Sequence, residues 1–169
     1  MTKTYSALYV AAAAAANLII AAYGPPAVPV VSFLLVGFVI TTRDRLHDEW
    51  HGDLLALRMV CLVAAGAAVT FAINAEALPI AIASTVAFGA SEAVNALVYE
   101  PLRRRGVGWY ARVNSGNVAN AITDSVLFVT LAFGFSLRIV VLQVAAKVLG
   151  GAVWSAVVRS RHFEPVAAQ

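Results

Sequence analysis

The stretch LPIAIASTVAFGASEAVNALVYEPLRRR, Leu78 to Arg105, decides what kind of protein this is. Its first part, Leu78–Tyr99, is an apolar run of the length that crosses a bilayer, for which about 20 residues are needed. It closes on three consecutive arginines, Arg103, Arg104 and Arg105, the charge that holds the end of a span on the cytoplasmic side. Inside the apolar run stand Glu92 and Asn95, both costly in hydrocarbon. The composition supports the same reading. Of 169 residues, 61% are hydrophobic and 12% charged, with a mean hydropathy of +0.81. Soluble domains carry roughly 25% charged residues, so the chain falls in the membrane class. Its length leaves little room for a soluble domain beside the spans.

Six segments are predicted to cross: Tyr5–Tyr23, Ala27–Thr42, Leu54–Ile73, Leu78–Tyr99, Ser115–Phe135 and Leu137–Val158. The second is short, and its polar end can continue as helix at the interface. The connections are YGPPA, RDRLHDEWHGD, NAEA, EPLRRRGVGWYARVN and a tight turn around Ser136. The expected architecture is all-α, a polytopic membrane protein whose residues 1–169 form a single six-helix transmembrane domain. Lys3 followed by an alanine-rich run resembles a signal peptide, but Asn17 and the Pro-Pro turn favour a retained helix. Small residues let membrane helices approach closely, and Ala146-x-x-x-Gly150 is one such pair.

The positive charges set the orientation. With six alternating spans, Lys3, Arg43, Arg45, Arg58, Arg103, Arg104, Arg105, Arg112, Arg159 and Arg161 all fall on one side, and only Arg138 on the other. Both termini are therefore expected in the cytoplasm, in a multi-pass protein of the inner membrane. Orientation and contact with anionic lipid account for the arginine run, and nucleic acid is not an expected partner. Helices 1–3 and 4–6 would have opposite orientations, as in many transporters, although the halves show no sequence match.

A metal or other cofactor is not expected. The lone Cys61 excludes an internal disulfide and a multi-cysteine zinc site. His47 and His51 stand at i,i+4 and could present two ligands, but read better as interfacial histidines. Asp44, Asp48, Glu49 and Asp53 could hold a hard cation. With Arg43, Arg45 and Arg58 among them, an interfacial ion-pair network is the expected arrangement. No nucleophile elbow, zinc-protease motif or phosphate-cradling glycine loop is present, so the chain does not read as an enzyme.

Ionisable groups inside a membrane point to function. Glu92, Asp124 and Lys147 lie near mid-helix, where a charge costs about 2.5–3.5 kcal/mol on insertion scales. Their neighbours follow helical spacing. Glu92, Asn95 and Tyr99 share one face, which Ser84 and Ser91 extend. Asn117, Asn120 and Asp124 share another, with Asn114 just below, and Gln143 and Lys147 are i and i+4. Asn17 lies deep in helix 1. Pointing these stripes inward makes a polar pocket. The competing reading is structural: Lys147 paired to Glu92 or Asp124, with asparagines as interhelical glue worth about 0.6 kcal/mol per contact. The number of polar groups exceeds what glue requires. The pocket suits a flat, polar, heteroaromatic solute, with carboxylates accepting ring N–H groups, amides or Lys147 donating to ring acceptors, and Tyr9, Tyr99, Phe88 or Phe128 stacking.

In order along the chain, these elements resemble those of the VUT family of queuosine-precursor transporters, six-helix integral membrane proteins. The matching elements are Asn17 late in helix 1, and TTRDRLHDEWHG after helix 2. SEAVNALVYEPLRRR follows in helix 4, then NSGNVANAITDSVLFVTLAFG, and finally Lys147-Val148-Leu149 in helix 6. The chain departs from the pattern where Arg43 intervenes between Thr42 and Asp44, and where Asn95 replaces a common aspartate. It is also short for the family. The resemblance implies import of 7-cyano-7-deazaguanine (preQ0) or its aminomethyl relative (preQ1), with Glu92, Asn95, Asn117, Asn120, Asp124, Lys147, Asn17 and Tyr99 as the substrate-binding set. A protonatable acid, Glu92 or Asp124, would couple import to proton or ion flow; homo-oligomerisation is left open. The alternatives are a substrate-binding subunit that needs a separate energising ATPase, and a non-transporting structural membrane protein.

Overall fold

The structure, a computed structural model, describes residues 2–50, 54–107 and 109–159. The side chains of Asp44, His47, Asp48, Asn95, Tyr99, Arg103, Arg112, Asn114, Asn117 and Arg159, and all of His51, Asp53 and Arg161, lie outside the described set. Among the described residues, six helices make up the fold and there is no strand. Helix α1 is Thr2–Tyr23. It stops at Gly24, whose φ of 69° suits glycine, and a 3-10 turn Pro25–Ala27 redirects the chain. Helix α2 runs on without a break through Val28–Val31, a π-helical turn Ser32–Val36 and Gly37–Glu49. Helix α3 is Leu55–Ile73. The Asn74 side chain then accepts from the Glu76 backbone N–H at 3.0 Å, capping the 3-10 turn Ala75–Ala77. Helix α4 is Leu78–Arg104, α5 is Trp109–Phe133 and α6 is Leu137–Arg159.

Among the described residues, four stretches are long and apolar enough to cross a membrane: Lys3–Tyr23, Pro25–Arg43, Ala75–Val94 and Leu137–Val157. The apolar parts of α3 and α5, Leu57–Ile73 and Val118–Phe133, are shorter. Two connections are briefer than the sequence predicts. The polar RDRLHDE stretch continues α2 to Glu49, and EPLRR continues α4 to Arg104 with Pro101 inside the helix. Charged residues end an apolar run without ending backbone hydrogen bonding, so a helix can project past the hydrocarbon. Gly106, with φ 71°, then makes the turn into α5.

The molecule is apolar outside and mixed inside. Leu8, Ile19, Leu57, Val60, Val86, Leu131 and Leu149 are exposed, as lipid-facing side chains are. Asn17, Arg43, Thr70, Ser91, Asn120, Ser125, Gln143 and Lys147 are buried. The most extensive helix pairing is α4 with α5. The closest approach is between α2 and α6: a Cβ at Gly37 would sit 2.6 Å from the carbonyl carbon of Gly150. Only glycine leaves room there, so Gly150 of the small-residue pair sits at a helix crossing. Trp154 fastens the same interface. Its Nε1 donates to the Leu34 carbonyl at 2.8 Å, and its ring meets Phe38 edge to face at 5.0 Å.

Candidate functional site

All six helices contribute to one central cavity of about 90 Å³. Tyr9 and Asn17 come from α1, Val39 and Arg43 from α2, and Val63 and Gly66 from α3. Helix α4 supplies Ser84, Thr85 and Phe88; α5 supplies Asn120, Asp124 and Phe128; α6 supplies Gln143 and Lys147. One water needs about 10–15 Å³ of such space, so several fit. The lining combines aromatic faces, amides and ions.

Two ion pairs dominate its electrostatics. Lys147, almost fully buried, pairs with Asp124 and donates to Ser125 Oγ at 3.3 Å. Arg43 pairs with Glu92, and Asn120 Nδ2 donates to Glu92 Oε1 at 2.7 Å. The Arg43 guanidinium also stands 5.8 Å from the centre of the Phe88 ring, within cation–π range. A buried charge is tolerated when it is paired and hydrogen-bonded, and each of these four ions has an opposite charge beside it.

Helical spacing explains the convergence. Asn120 and Asp124 are one turn apart on α5, and Gln143 and Lys147 one turn apart on α6, so each pair presents both members to the same space. Asn17 reaches across to α3, where its Nδ2 donates to Thr70 Oγ1 at 3.3 Å, and Thr70 donates on to the Gly66 carbonyl at 2.8 Å. Gln143 is 3% exposed, and its side-chain carbonyl oxygen has no hydrogen-bond partner.

A second chamber of about 410 Å³ lies between α3 and α4, lined by Leu55, Met59, Val60, Ala64, Gly89 and Glu92. It shares Arg43, Val63, Thr85 and Phe88 with the central cavity, so these four side chains form the partition between the two spaces.

Of the residues singled out in the sequence, Asn17, Asn120, Asp124 and Lys147 line the central cavity, and Glu92 lines the neighbouring chamber while bonding to Asn120. Asn95, Asn117 and Tyr99 have side chains outside the described set. Tyr9, Phe88 and Phe128 supply aromatic surface. Lysine pairs with Asp124; the partner of Glu92 is an arginine.

That arginine corrects the sequence reading. Arg43 is expected in an interfacial ion-pair network, yet it is 7% exposed and turned into the bundle. The interface keeps Arg45, which bonds Glu49 at 3.3 Å and stacks on Tyr5, and Arg58, which faces Trp50. The signal for Arg43 was its place one helical turn after Val39, on a helix that does not end at Thr42. Gln143 was legible only as a neighbour of Lys147. Among the described residues, no group of three His, Cys, Asp or Glu side chains could hold a metal ion.

No curated protein and no solved structure matches the chain. A family model described as "Putative vitamin uptake transporter" matches residues 8–159, nearly the whole of it. An apolar-faced helical bundle with a polar, ion-paired centre has the make-up such a protein needs, and the chain belongs to this vitamin uptake transporter family.

Proposed function

We propose that this chain imports a flat, polar heteroaromatic base across the inner membrane, a 7-deazaguanine precursor of queuosine, by alternating access. The observation that carries the reading is the central cavity. Six helices converge on a space that offers amide donors and acceptors, aromatic faces and two compensated ion pairs. Charges this expensive in a bilayer are retained where they serve a polar solute. In this reading all six helices cross, the chain is one transmembrane domain, and both termini face the cytoplasm.

The geometry supports a route as well as a site. Drug-sized ligand pockets measure roughly 300–1,000 Å³. The central cavity is smaller than that and the α3–α4 chamber falls within it. The base enters the chamber, and movement of the Arg43–Phe88 partition joins the two spaces around it. Asn120 and Asn17 flank the base, and Phe88 or Phe128 stacks on it. Asp124, held by Lys147, is the acid through which a proton would be coupled.

The test is uptake of labelled 7-cyano-7-deazaguanine by cells unable to synthesise it. Cells carrying the wild-type chain should accumulate the label, and Glu92→Gln and Asp124→Asn should lose most of it. Absence of uptake by wild type at every concentration would sink the substrate assignment. Uptake by the purified chain in vesicles would exclude a requirement for a separate energising subunit. An Asp124→Asn variant that transports with the wild-type pH dependence would remove Asp124 as the coupling acid.

A further inference from the structure

The two carboxylates nearest the cavity are already engaged. Asp124 accepts from Lys147, and Glu92 accepts from Arg43 and Asn120. A ligand N–H that bonded either acid would compete with a cation already in place. Gln143 differs. The residue lines the same cavity, and its carbonyl oxygen is buried without a partner. A buried polar atom left unbonded destabilises a protein by roughly 1–3 kcal/mol, so an orphan acceptor on a side chain that lines a binding space marks where a donor arrives once the amide turns toward it.

We infer that Gln143 reads the edge of the substrate, pairing its carboxamide with a cis-lactam. The inference rests on the cavity being the site of a deazaguanine-like base, and it specifies which atoms are recognised there. A primary carboxamide carries a carbonyl acceptor and an N–H donor side by side. A cis-lactam carries the complementary N–H and C=O, so the two form a pair of parallel hydrogen bonds. Turning the amide by 180° exchanges its ends, so either orientation of the ring edge can be met. Lys147, one turn along α6, is fixed by Asp124 and Ser125, which holds the helix face that presents Gln143. The residue is thus a specificity determinant: it selects solutes with an N–H beside a carbonyl and rejects those whose nitrogen is methylated.

The experiment measures uptake by cells that carry the full chain and cannot synthesise the base, with labelled 7-cyano-7-deazaguanine and its analogue methylated on the lactam nitrogen. Wild type should take up the parent base and discriminate against the methylated one by at least about tenfold, as sites built to bond an N–H do. Gln143→Met keeps the length of the side chain and removes both polar atoms. It should weaken the apparent affinity for the parent by about 10- to 100-fold and erase the discrimination. Its thermal unfolding midpoint should equal or exceed wild type, because an unsatisfied buried oxygen has been removed. A merely structural glutamine would lower the midpoint instead. Gln143→Glu, which keeps an acceptor, should still discriminate against the methylated base. Wild-type uptake with affinity and discrimination unchanged in Gln143→Met overturns the assignment and leaves the substrate reading intact. A Gln143→Met that unfolds shifts the decision to Gln143→Glu, where loss of discrimination overturns it. No uptake of the base by wild type overturns the substrate reading, and this assignment with it.

Discussion

Replacing Gly150 by alanine tests the packing that brings α2 and α6 together. An alanine Cβ there would lie 2.3 Å from the Phe33 carbonyl oxygen and 2.9 Å from its Cα, where ordinary contact begins at 3.4 Å. Both obstacles are backbone, so no rotamer change relieves them and the helices must part by about 1 Å. Overpacking of this kind costs about 1–3 kcal/mol, and the backbone obstacles put Gly150→Ala at the upper end. Alanine recovers about 0.8–1.0 kcal/mol of helix propensity, leaving a net loss of roughly 2 kcal/mol. The adjacent Gly151 is the control, because a Cβ there meets nothing within 4 Å. Gly151→Ala should therefore gain up to about 1 kcal/mol from propensity alone. The two variants differ by one position along α6 and should differ by about 3 kcal/mol. At about 2–4 °C per kcal/mol for a chain of this size, their unfolding midpoints should stand roughly 6–12 °C apart. The assay is thermal unfolding of purified protein in detergent, followed by tryptophan fluorescence, since Trp154 is bonded across this interface to Leu34. Uptake should fall with Gly150→Ala as well, because Lys147 lies one turn away on the same helix. Equal midpoints for the two variants would refute the argument that α2 and α6 meet backbone to backbone.

Removing one partner of a buried ion pair costs about 3–5 kcal/mol when the other is left buried, and the two partners of the α2–α4 pair differ in exposure. The Arg43 side chain is 8% exposed and that of Glu92 35%. Glu92→Gln should therefore destabilise more than Arg43→Gln, which should cost about 1–2 kcal/mol, since the carboxylate that remains keeps Asn120 and some water. Unfolding midpoints in the reverse order would contradict the pairing. Cys61 tests whether α3 crosses the bilayer. It is exposed on the apolar part of that helix, so a water-soluble maleimide should leave it unmodified in intact membranes and label it after denaturation in SDS. Rapid labelling in intact membranes would place α3 at the surface.

The helices were legible because a run long enough to span lipid is a local property. The turns were legible for the same reason: YGPPA and NAEA redirect the chain at Gly24 and Asn74, and the turn expected around Ser136 begins two residues earlier, at Gly134. The ends of α2 and α4 were not, since hydropathy reports where lipid stops and helical hydrogen bonding runs on past that point. Within the cavity, Asn17, Asn120, Asp124 and Lys147 announced themselves as polar groups in apolar surroundings, and Glu92 did the same beside it. Arg43 did not, because an arginine at the end of a span ordinarily serves orientation. Which acid Lys147 takes, of the two read as its possible partners, was also hidden. It depends on the angular placement of helices against one another, which spacing along a single helix does not contain. Gln143 was read on an inward stripe with Lys147 but left out of the substrate-binding set, because an amide beside a lysine looks ordinary until its oxygen is seen to lack a donor.

The two ion pairs also differ in the order in which synthesis delivers them. Asp124 and Lys147 are 23 residues apart, on helices joined by the short turn after Gly134. That hairpin can leave the ribosome and enter the bilayer as a self-neutralised unit, each charge cancelling the insertion cost of the other. Arg43 precedes Glu92 by 49 residues, so α2 is synthesised before this partner. Its position near the polar end of α2 suits that wait. A long guanidinium side chain can stay in the headgroup layer while its stem lies along the helix, and can turn inward when α4 arrives. With insertion in that order, the Arg43–Glu92 contact would form only after α4 is made, and a chain truncated before Glu92 would lack it.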